Sequence, residues 1–406
     1  MKVNVIGLGY IGLPTALMLA SHGVTVVGTD HDQKRITALN AGNPTFEEEG
    51  LDKLFQDAQE AGIRFTTEYI AADVYIISVP TPYNRFTQKM DAHYLISAIR
   101  SVLKACKTGT TIVVESTITP GTIDNIVCPI IEAAGFVVGQ DIYLAHAPER
   151  IIPGQMIYEL LHNDRTIGAD PDTGERIKEL YSSFCKGEIT ITSIKAAEMT
   201  KVVENTFRAV NIAFANELSK ICRYNGLDVY EIIRVCNMHP RVNILQPGPG
   251  VGGHCIPVDP WFLVGEYPNL TKMIRESLFV NESMPEFVVT RIYELMRDHG
   301  MTDISRIGLY GLTYKEDVDD CRESPTLQML NYQKKHLSQP IKVYDPFVKH
   351  NIVENQYHEL EQFLNDVDLV VIMVAHREIK NRANLLNGKI ILDTRNVLHL
   401  PNTYTL

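Results

Sequence analysis

Short apolar runs rich in β-branched residues recur over the first 150 positions, and each closes on glycine, proline or polar side chains. Val3 to Ile6, Val24 to Val27, Val74 to Val79, Thr111 to Val114 and Ile142 to Ala145 are of this kind. Runs of this length bounded by turn residues read as buried strands of a parallel sheet. Pro14 to Ser21 reads as a helix between the first two, so the chain opens strand, turn, helix, strand. From about Ser193 to Tyr224 the period changes. Met199, Val202, Val203, Phe207, Val210, Phe214, Leu218 and Ile221 recur at helical spacing, and Gly226 is the expected stop. A helix of roughly 30 residues is about 45 Å long. That exceeds a typical domain helix, so it is expected to bridge two domains. Lys201 and Asn205, four apart, share a face of it, and such a pair by itself reads as a solvated polar face.

From Ile304 the strand pattern returns. Arg306 to Gly311 resembles the opening strand and turn, Ile341 to Tyr344 ends at Asp345, Asp368 to Met373 is strongly apolar, and Lys389 to Leu392 ends at Asp393-Thr394-Arg395. The expected fold class is α/β, with two Rossmann-like domains joined by a long central helix. The expected boundaries are 1–190 for the first domain, 191–295 for a central helical region carrying a cysteine loop, and 296–406 for the second.

Composition narrows the field. The 406 residues are 45% hydrophobic and 21% charged, ordinary for a soluble globular chain of two or three domains. A net charge of -11 argues against nucleic acid or an anionic membrane as partner, while leaving room for an anionic small ligand met by a local cluster of donors. Seven cysteines without a CxxC pair point away from a disulfide framework or a metal site and towards a reducing cytoplasm. The N-terminus runs into a strand without signal-peptide order, and no uncharged apolar run approaches the ~20 residues of a membrane span.

Three places carry chemistry. Gly7-Leu8-Gly9-Tyr10-Ile11-Gly12 lies between strand and helix, and Asp30 follows the second strand eighteen residues past Gly12. Glycines at this spacing allow a tight turn and a close approach to pyrophosphate at a helix N-terminus, and the acid bonds a ribose hydroxyl. NAD is therefore the expected cofactor, held by Gly7, Gly9, Tyr10, Ile11, Gly12 and Asp30, with Arg35 close by. Ligands of open α/β sheets bind beyond the carboxyl ends of the strands, which adds Thr81, Thr117 and Glu149, with Arg150 beside it. The second half lacks the full glycine spacing, so a nucleoside diphosphate suits it better than a second dinucleotide. The third place is Gly248-Pro249-Gly250-Val251-Gly252-Gly253-His254-Cys255-Ile256-Pro257-Val258-Asp259-Pro260. A lone cysteine is more often a buried structural residue. A thiol in a glycine-dense, proline-stiffened loop with a carboxylate four residues on suggests instead a positioned nucleophile.

GLGYIGLP at 7–14, SVPTP at 78–82, the cysteine segment and GLTYKEDVDDCRESP at 311–325 resemble, in this order and along the whole chain, the nucleotide-sugar 6-dehydrogenases of the UDP-glucose/UDP-N-acetylmannosamine dehydrogenase family. The resemblance implies an NAD domain, a central helical region that makes a homodimer, and a UDP domain. It implies four-electron oxidation of the sugar C6 alcohol to carboxylate with two NAD+ and a covalent intermediate on Cys255, feeding cell-surface polysaccharide such as capsule. Lys201 and Asn205 match family residues that stabilise negative charge at C6, and Asp259 matches one that activates water or assists as base. Glu149 is a second candidate base, and Thr117 positions water or the nicotinamide end. Arg241 matches an arginine that reaches the ligand across the dimer. Lys315 and Arg322 match residues near the UDP-sugar and cofactor, while Gly252 and Arg395 are expected at the sugar or phosphate.

Where UDP-glucose enzymes carry an acid four residues after the matching glutamate, this chain has Pro153. That departure, GGHC at the cysteine, and Val258-Asp259-Pro260-Trp261-Phe262 resemble the 2-acetamido-sugar branch, most of all the UDP-N-acetyl-D-mannosamine enzymes. UDP-glucose, UDP-N-acetylglucosamine and UDP-N-acetylgalactosamine are the alternative substrates. Two other classes compete. A non-catalytic nucleotide-sugar sensor would be marked by loss of Cys255 or Lys201, and both are present. A two-electron 3-hydroxy acid dehydrogenase shares the Rossmann domain and long helix but has no use for Cys255 or a second α/β half.

Overall fold

A computed structural model describes residues 1–336 and 341–406. The chain divides into two compact units, Met1–Glu204 and Asn205–Leu406. In the first, β1 (Lys2–Ile6), β2 (Thr25–Thr29), β3 (Arg64–Thr66) and β4 (Val74–Ile77) precede a short antiparallel hairpin of β5 (Tyr83–Asn84) and β6 (Lys89–Met90). They are followed by β7 (Thr110–Val114), β8 (Ile142–His146), β9 (Arg165–Gly168) and β10 (Ile189–Thr192). Eight of these form one sheet in the order β10-β9-β8-β7-β4-β1-β2-β3. Its central strands are apolar without interruption because both faces are covered: Val74 and Ile76 enter one core, Tyr75 and Ile77 the other. The predicted strands of this half are all present, with ends shifted by a residue or two.

One pairing was not anticipated. β8 and β9 run antiparallel, with His146 opposite Gly168, whereas the other pairings of this sheet are parallel. The reversal brings the start of β9 to the edge where the parallel strands end. Extending the register by three residues on each strand sets Arg165 opposite Glu149.

The long helix spans Ile194–Tyr224, 31 residues, and includes residues of both units. It ends where Gly226 takes a φ of +67° and the Leu227 N–H donates to the Cys222 carbonyl at 2.9 Å, the left-handed stop that glycine makes cheaply. Lys201 and Asn205 are only 6% and 7% exposed, so the solvated-face reading of that pair is wrong. Three apolar positions that signalled the helix, Phe207, Phe214 and Ile221, are instead 65%, 54% and 54% exposed.

The second unit holds a six-stranded sheet of β11 (Ile307–Tyr310), β12 (Lys342–Tyr344), β13 (Gln356–Tyr357), β14 (Leu369–Ile372), β15 (Ile390–Asp393) and β16 (Thr403–Tyr404). The order is β13-β12-β11-β14-β15-β16, and the pairings are parallel. This is the Rossmann-like order again, and it repeats down to single hydrogen bonds. The Gly7 N–H donates to Thr29 O and the Gly311 N–H to Tyr344 O, each at 2.8 Å. The next N–H donates in each case to the aspartate that follows the second strand: Leu8 to Asp30 Oδ2 at 2.8 Å, and Leu312 to Asp345 Oδ2 at 2.6 Å. Among the described residues no helix is long and apolar enough to cross a membrane.

Candidate active site

The glycine turn of the first unit is built by three different constraints. Gly7 has a φ of +88°, and a Cβ there would lie 2.5 Å from the Ser78 carbonyl oxygen. At Gly12 a Cβ would lie 1.9 Å from the Gly7 carbonyl oxygen, so the helix Gly12–Ser21 packs directly on the turn. A Cβ at Gly9 would meet nothing within 4 Å. Packing therefore requires glycine at 7 and 12, while at 9 the backbone borders open space. That helix has no side-chain cap at its N-terminus, which leaves the end of its dipole available to an anion. Asp30 is buried. Burial pushes its carboxyl up, but the N–H groups of Asp32 and Leu8 and the Arg35 guanidinium outweigh this and hold it below the usual range. Arg35 reaches Asp30 Oδ2 at 2.8 Å. The Tyr10 and Phe46 rings pack together, tilted by 32°, at a centroid distance of 4.5 Å. A cradle that a Cβ would fill, an uncapped helix start and an ionised acid fit a pyrophosphate and a ribose diol.

The strand-end residues converge on the same edge. The Thr81 hydroxyl donates to the Thr117 carbonyl at 2.7 Å. Glu149 is buried, with one carboxylate oxygen accepting the Arg150 N–H at 2.7 Å and the other bonded to Arg165. Arg150 is fully engaged: Nε and Nη2 reach Glu204, Nη2 also reaches Thr166, and Nη1 donates to the Asp164 carbonyl. Sequence reasoning missed Arg165, because an arginine opening a short strand carries no signal of where a reversed strand will put it. Glu115 was passed over in favour of Thr117, two residues on. It is 1% exposed, and burial, with a contribution from Glu149, pushes its carboxyl up to about 7 against the pull of Arg165.

Lys201 lies in this unit near buried His146. The imidazole Nδ1–H donates to the Val114 carbonyl at 2.8 Å, and Nε2 is buried with no hydrogen-bond partner. Burial, aided by the Lys201 charge and opposed by the Val114 bond, holds His146 down at about 3, so it is a neutral ring. Three residues before Lys201, Glu198 accepts the N–H groups of Gly121 at 2.5 Å and Ile123 at 2.9 Å, fixing the loop that follows Thr117.

In the second unit Cys255 is exposed and in no disulfide. Its carbonyl accepts the N–H groups of Val258 at 3.1 Å and Asp259 at 2.8 Å, so the helix Asp259–Glu266 starts off the cysteine turn, with Pro260 suited to its first positions. The Asp259 carboxylate is buried and accepts from Asn205 Nδ2 at 2.6 Å. Gly252 and Gly253 let the loop lie against the 311–325 segment: a Cβ at Gly252 would come 2.8 Å from the Glu323 carbonyl oxygen, and the Gly253 N–H donates to Arg322 O at 2.9 Å. Arg322 is held by Asp320 at 2.6 Å. The Lys315 carbonyl accepts the Thr313 hydroxyl at 2.9 Å. Arg395 Nη1 lies 2.9 Å from where a Cβ of Gly248 would be. This unit thus gathers Asn205, Asp259, Gly252, Arg322 and Arg395 around the cysteine loop and its neighbouring segment. Arg241 is exposed, on the stretch between the helix Val229–Cys236 and that loop. The turn after β11 differs at one telling point: Thr313, fully buried, occupies the place that Gly9 holds in the first unit, so the open cradle is lost.

Two nucleotide-type sheets in one chain, only one with the pyrophosphate cradle, are the organisation of a dehydrogenase that handles a dinucleotide and a nucleotide-linked substrate. The chain belongs to the UDP-glucose/GDP-mannose dehydrogenase family, whose NAD binding domain matches residues 1–185, central domain 195–283 and UDP binding domain 308–400. It is 42% identical to a UDP-N-acetyl-D-mannosamine dehydrogenase of Methanocaldococcus jannaschii, over 98% of this chain and 93% of the relative. An NDP-N-acetyl-D-galactosaminuronic acid dehydrogenase of Ralstonia nicotianae is 39% identical over 97% of this chain and 95% of its own length. The structure of the UDP-N-acetyl-mannosamine dehydrogenase Cap5O from Staphylococcus aureus superposes with a TM-score of 0.90 at 41% identity, covering 100% of this chain and 98% of that one. The protein is an NAD-dependent UDP-sugar dehydrogenase.

Proposed function

We propose that this enzyme oxidises C6 of UDP-N-acetyl-D-mannosamine from alcohol to carboxylate through a thiohemiacetal and a thioester on Cys255. The observation that carries the reading is an exposed thiol in a glycine-shaped loop, next to a buried carboxylate that Asn205 holds at 2.6 Å. Gly7, Gly9, Tyr10, Ile11, Gly12, Asp30 and Arg35 would hold NAD+ at the glycine turn, where it would supply the hydride acceptor twice per substrate.

The chain's own residues do the rest. Cys255 sulfur adds to the C6 aldehyde and keeps it from leaving between the two oxidations. Loss of the second hydride and a proton turns this thiohemiacetal into a thioester, which water splits, returning the thiolate and freeing the acid. Lys201 and Asn205 offset negative charge on the C6 oxygen. Both Glu149 oxygens are committed to Arg165 and the Arg150 N–H, so base duty goes to Asp259, directly or through water. Thr81 and Thr117 border the nicotinamide end. Lys315, Arg322 and Arg395 answer the diphosphate and sugar in an otherwise acidic protein.

The 2-acetamido substrate is supported by Pro153 in place of an acid, by the GGHC and VDPWF segments, and by relatives named for UDP-N-acetyl-D-mannosamine. The near-equal identity to the N-acetyl-D-galactosaminuronic acid enzyme keeps the galacto sugar as a second reading. We assign residues 191–295 as the dimer-forming region, with Arg241 reaching the partner's ligand, and place the enzyme in the cytoplasm, supplying uronic acid for cell-surface polysaccharide. The test is NADH formed per UDP-sugar consumed, with the manno, gluco and galacto 2-acetamido sugars and UDP-glucose side by side. Two NADH with the manno sugar alone is expected. Two with another sugar moves the substrate, and one NADH overturns the cysteine scheme.

A further inference from the structure

Three ionisable side chains, Arg165, Glu149 and Glu115, lie in one buried cluster in the first unit. Arg165 is bonded to Glu149 and lies 3.9 Å from Glu115 Oε1. All three residues are under 10% exposed: 5%, 7% and 1%. Glu115 in turn accepts the Ser78 hydroxyl at 2.5 Å, the Tyr181 hydroxyl at 3.1 Å and the Thr15 hydroxyl at 3.4 Å. The Arg165 guanidinium also packs over the Tyr181 ring, 4.5 Å from its centroid. Charges this deep are costly, and apolar residues of similar size would serve stability as well or better. Their arrangement connects two places that matter. Ser78 is the residue against which Gly7 and Gly12 pack, and Thr15 is in the helix that follows the glycine turn. Glu149 lies three residues past the end of β8, on the segment that carries Arg150.

We propose that Arg165 and Glu115 are positioning residues that tie the Glu149 segment to the cofactor turn, so that cofactor binding orders the substrate side of the first unit. Arg165 forks between the two carboxylates, and Glu115 passes the constraint to Ser78 and Thr15. That the Glu149 segment borders the substrate follows from its place beyond the carboxyl end of β8 together with the UDP-sugar reading of the proposed function; the link to the cofactor turn does not rest on that reading. Because Glu115 sits at about 7, its charge and therefore its grip on Ser78 and Arg165 change near neutral pH. The groups facing it are Ser78, Thr15, Tyr181, Arg165 and Glu149.

The test uses the full-length enzyme with Glu115→Gln, Arg165→Met and Arg165→Lys. Hydrogen exchange is followed in peptides covering residues 147–152 with and without NADH, beside kcat, KM and melting temperature. In wild type, NADH should slow exchange there by roughly five- to a hundredfold. That protection should vanish in Glu115→Gln and Arg165→Met and return in part in Arg165→Lys, which keeps the charge without the fork. Turnover should fall roughly ten- to hundredfold with KM little changed, and the titration near pH 7 should disappear from the Glu115→Gln rate profile. Variants that melt lower but keep wild-type protection, kcat and pH profile would reduce the cluster to a structural role. So would wild type without NADH-linked protection at 147–152. If Arg165→Met does not fold, Glu115→Gln, near-isosteric and uncharged, decides alone. An enzyme that turns over no UDP-sugar would sink the proposed function, while the exchange experiment would still judge the cluster.

Discussion

At the scale of single residues, exposure and hydrogen bonding separate groups that look alike in sequence. Seven cysteines are present, but Cys255 is the one that is both exposed and set in a glycine loop with a buried carboxylate on the next turn. Cys321 shows the contrast: burial, with help from Asp345, Asp320 and Asp319, pushes its thiol up to about 12, a poor nucleophile. Cys255→Ala should abolish acid formation while leaving NADH affinity within about twofold, since the residues assigned to hold NAD, at the glycine turn and the first unit's strand ends, are unchanged. Acid production near the wild-type rate would refute the covalent scheme. Glu149 and Asp259 were equal candidates for the base from sequence. The proposed choice of Asp259 rests on geometry: both Glu149 oxygens already accept hydrogen bonds, one from Arg165 and one from the Arg150 N–H.

At the scale of elements, the first glycine turn and the second turn share a hydrogen-bond frame and differ in what fills it. Gly9 borders open space and Thr313 fills its counterpart. Gly9→Ala should therefore fold with an unchanged melting temperature yet lose at least about tenfold in NADH affinity, because the added methyl occupies the phosphate's place. Gly12→Ala should instead lower the melting temperature, since its Cβ would lie 1.9 Å from a carbonyl oxygen. Calorimetric titration and thermal melts on the two variants separate the effects. A Gly9→Ala enzyme that binds NADH normally would remove the cradle from the turn.

At the scale of the molecule, two consequences stand out. Phe207, Phe214 and Ile221 recur every seven residues on the long helix and are all more than half exposed. An exposed apolar repeat of this kind suits the surface of the proposed homodimer. Phe214→Glu should give monomer in sedimentation velocity where the proposed homodimer of wild type gives dimer; a monomeric wild type would overturn the homodimer. The second consequence is pH. Glu115 sits at about 7 against an ordinary 4.5. Between those values the folded chain keeps a proton that the unfolded chain has lost, so the group's contribution falls as pH rises, by about 1.4 kcal/mol per pH unit. His146, at about 3 against 6.5, acts oppositely: between those values the unfolded chain holds the extra proton and stability rises with pH. The stability difference, Glu115→Gln minus wild type, should climb from pH 4.5 to 7, measured by denaturant titration at stepped pH. A flat difference would mean Glu115 is already ionised in the fold.

Much of this was legible in the chain itself, because the interactions responsible are local. A strand needs a short β-branched run, a cofactor turn needs glycines at fixed spacing, and a helix needs its period and a stop; Val74 to Ile77, Gly7 to Gly12 and Ile194 to Tyr224 all announced themselves in this way. The alternation of apolar runs with helices was enough to set the α/β class and the two Rossmann-like sheets. What only the tertiary structure decided depends on contacts between residues far apart in sequence. The reversal of β9 sets Arg165 against Glu149, and Glu115 receives hydroxyls from Thr15, 100 residues before it, and Tyr181, 66 after it. Burial of Lys201 and exposure of Phe207 on one helix were likewise undetermined by period, because a helical repeat defines faces but not which face the rest of the protein covers.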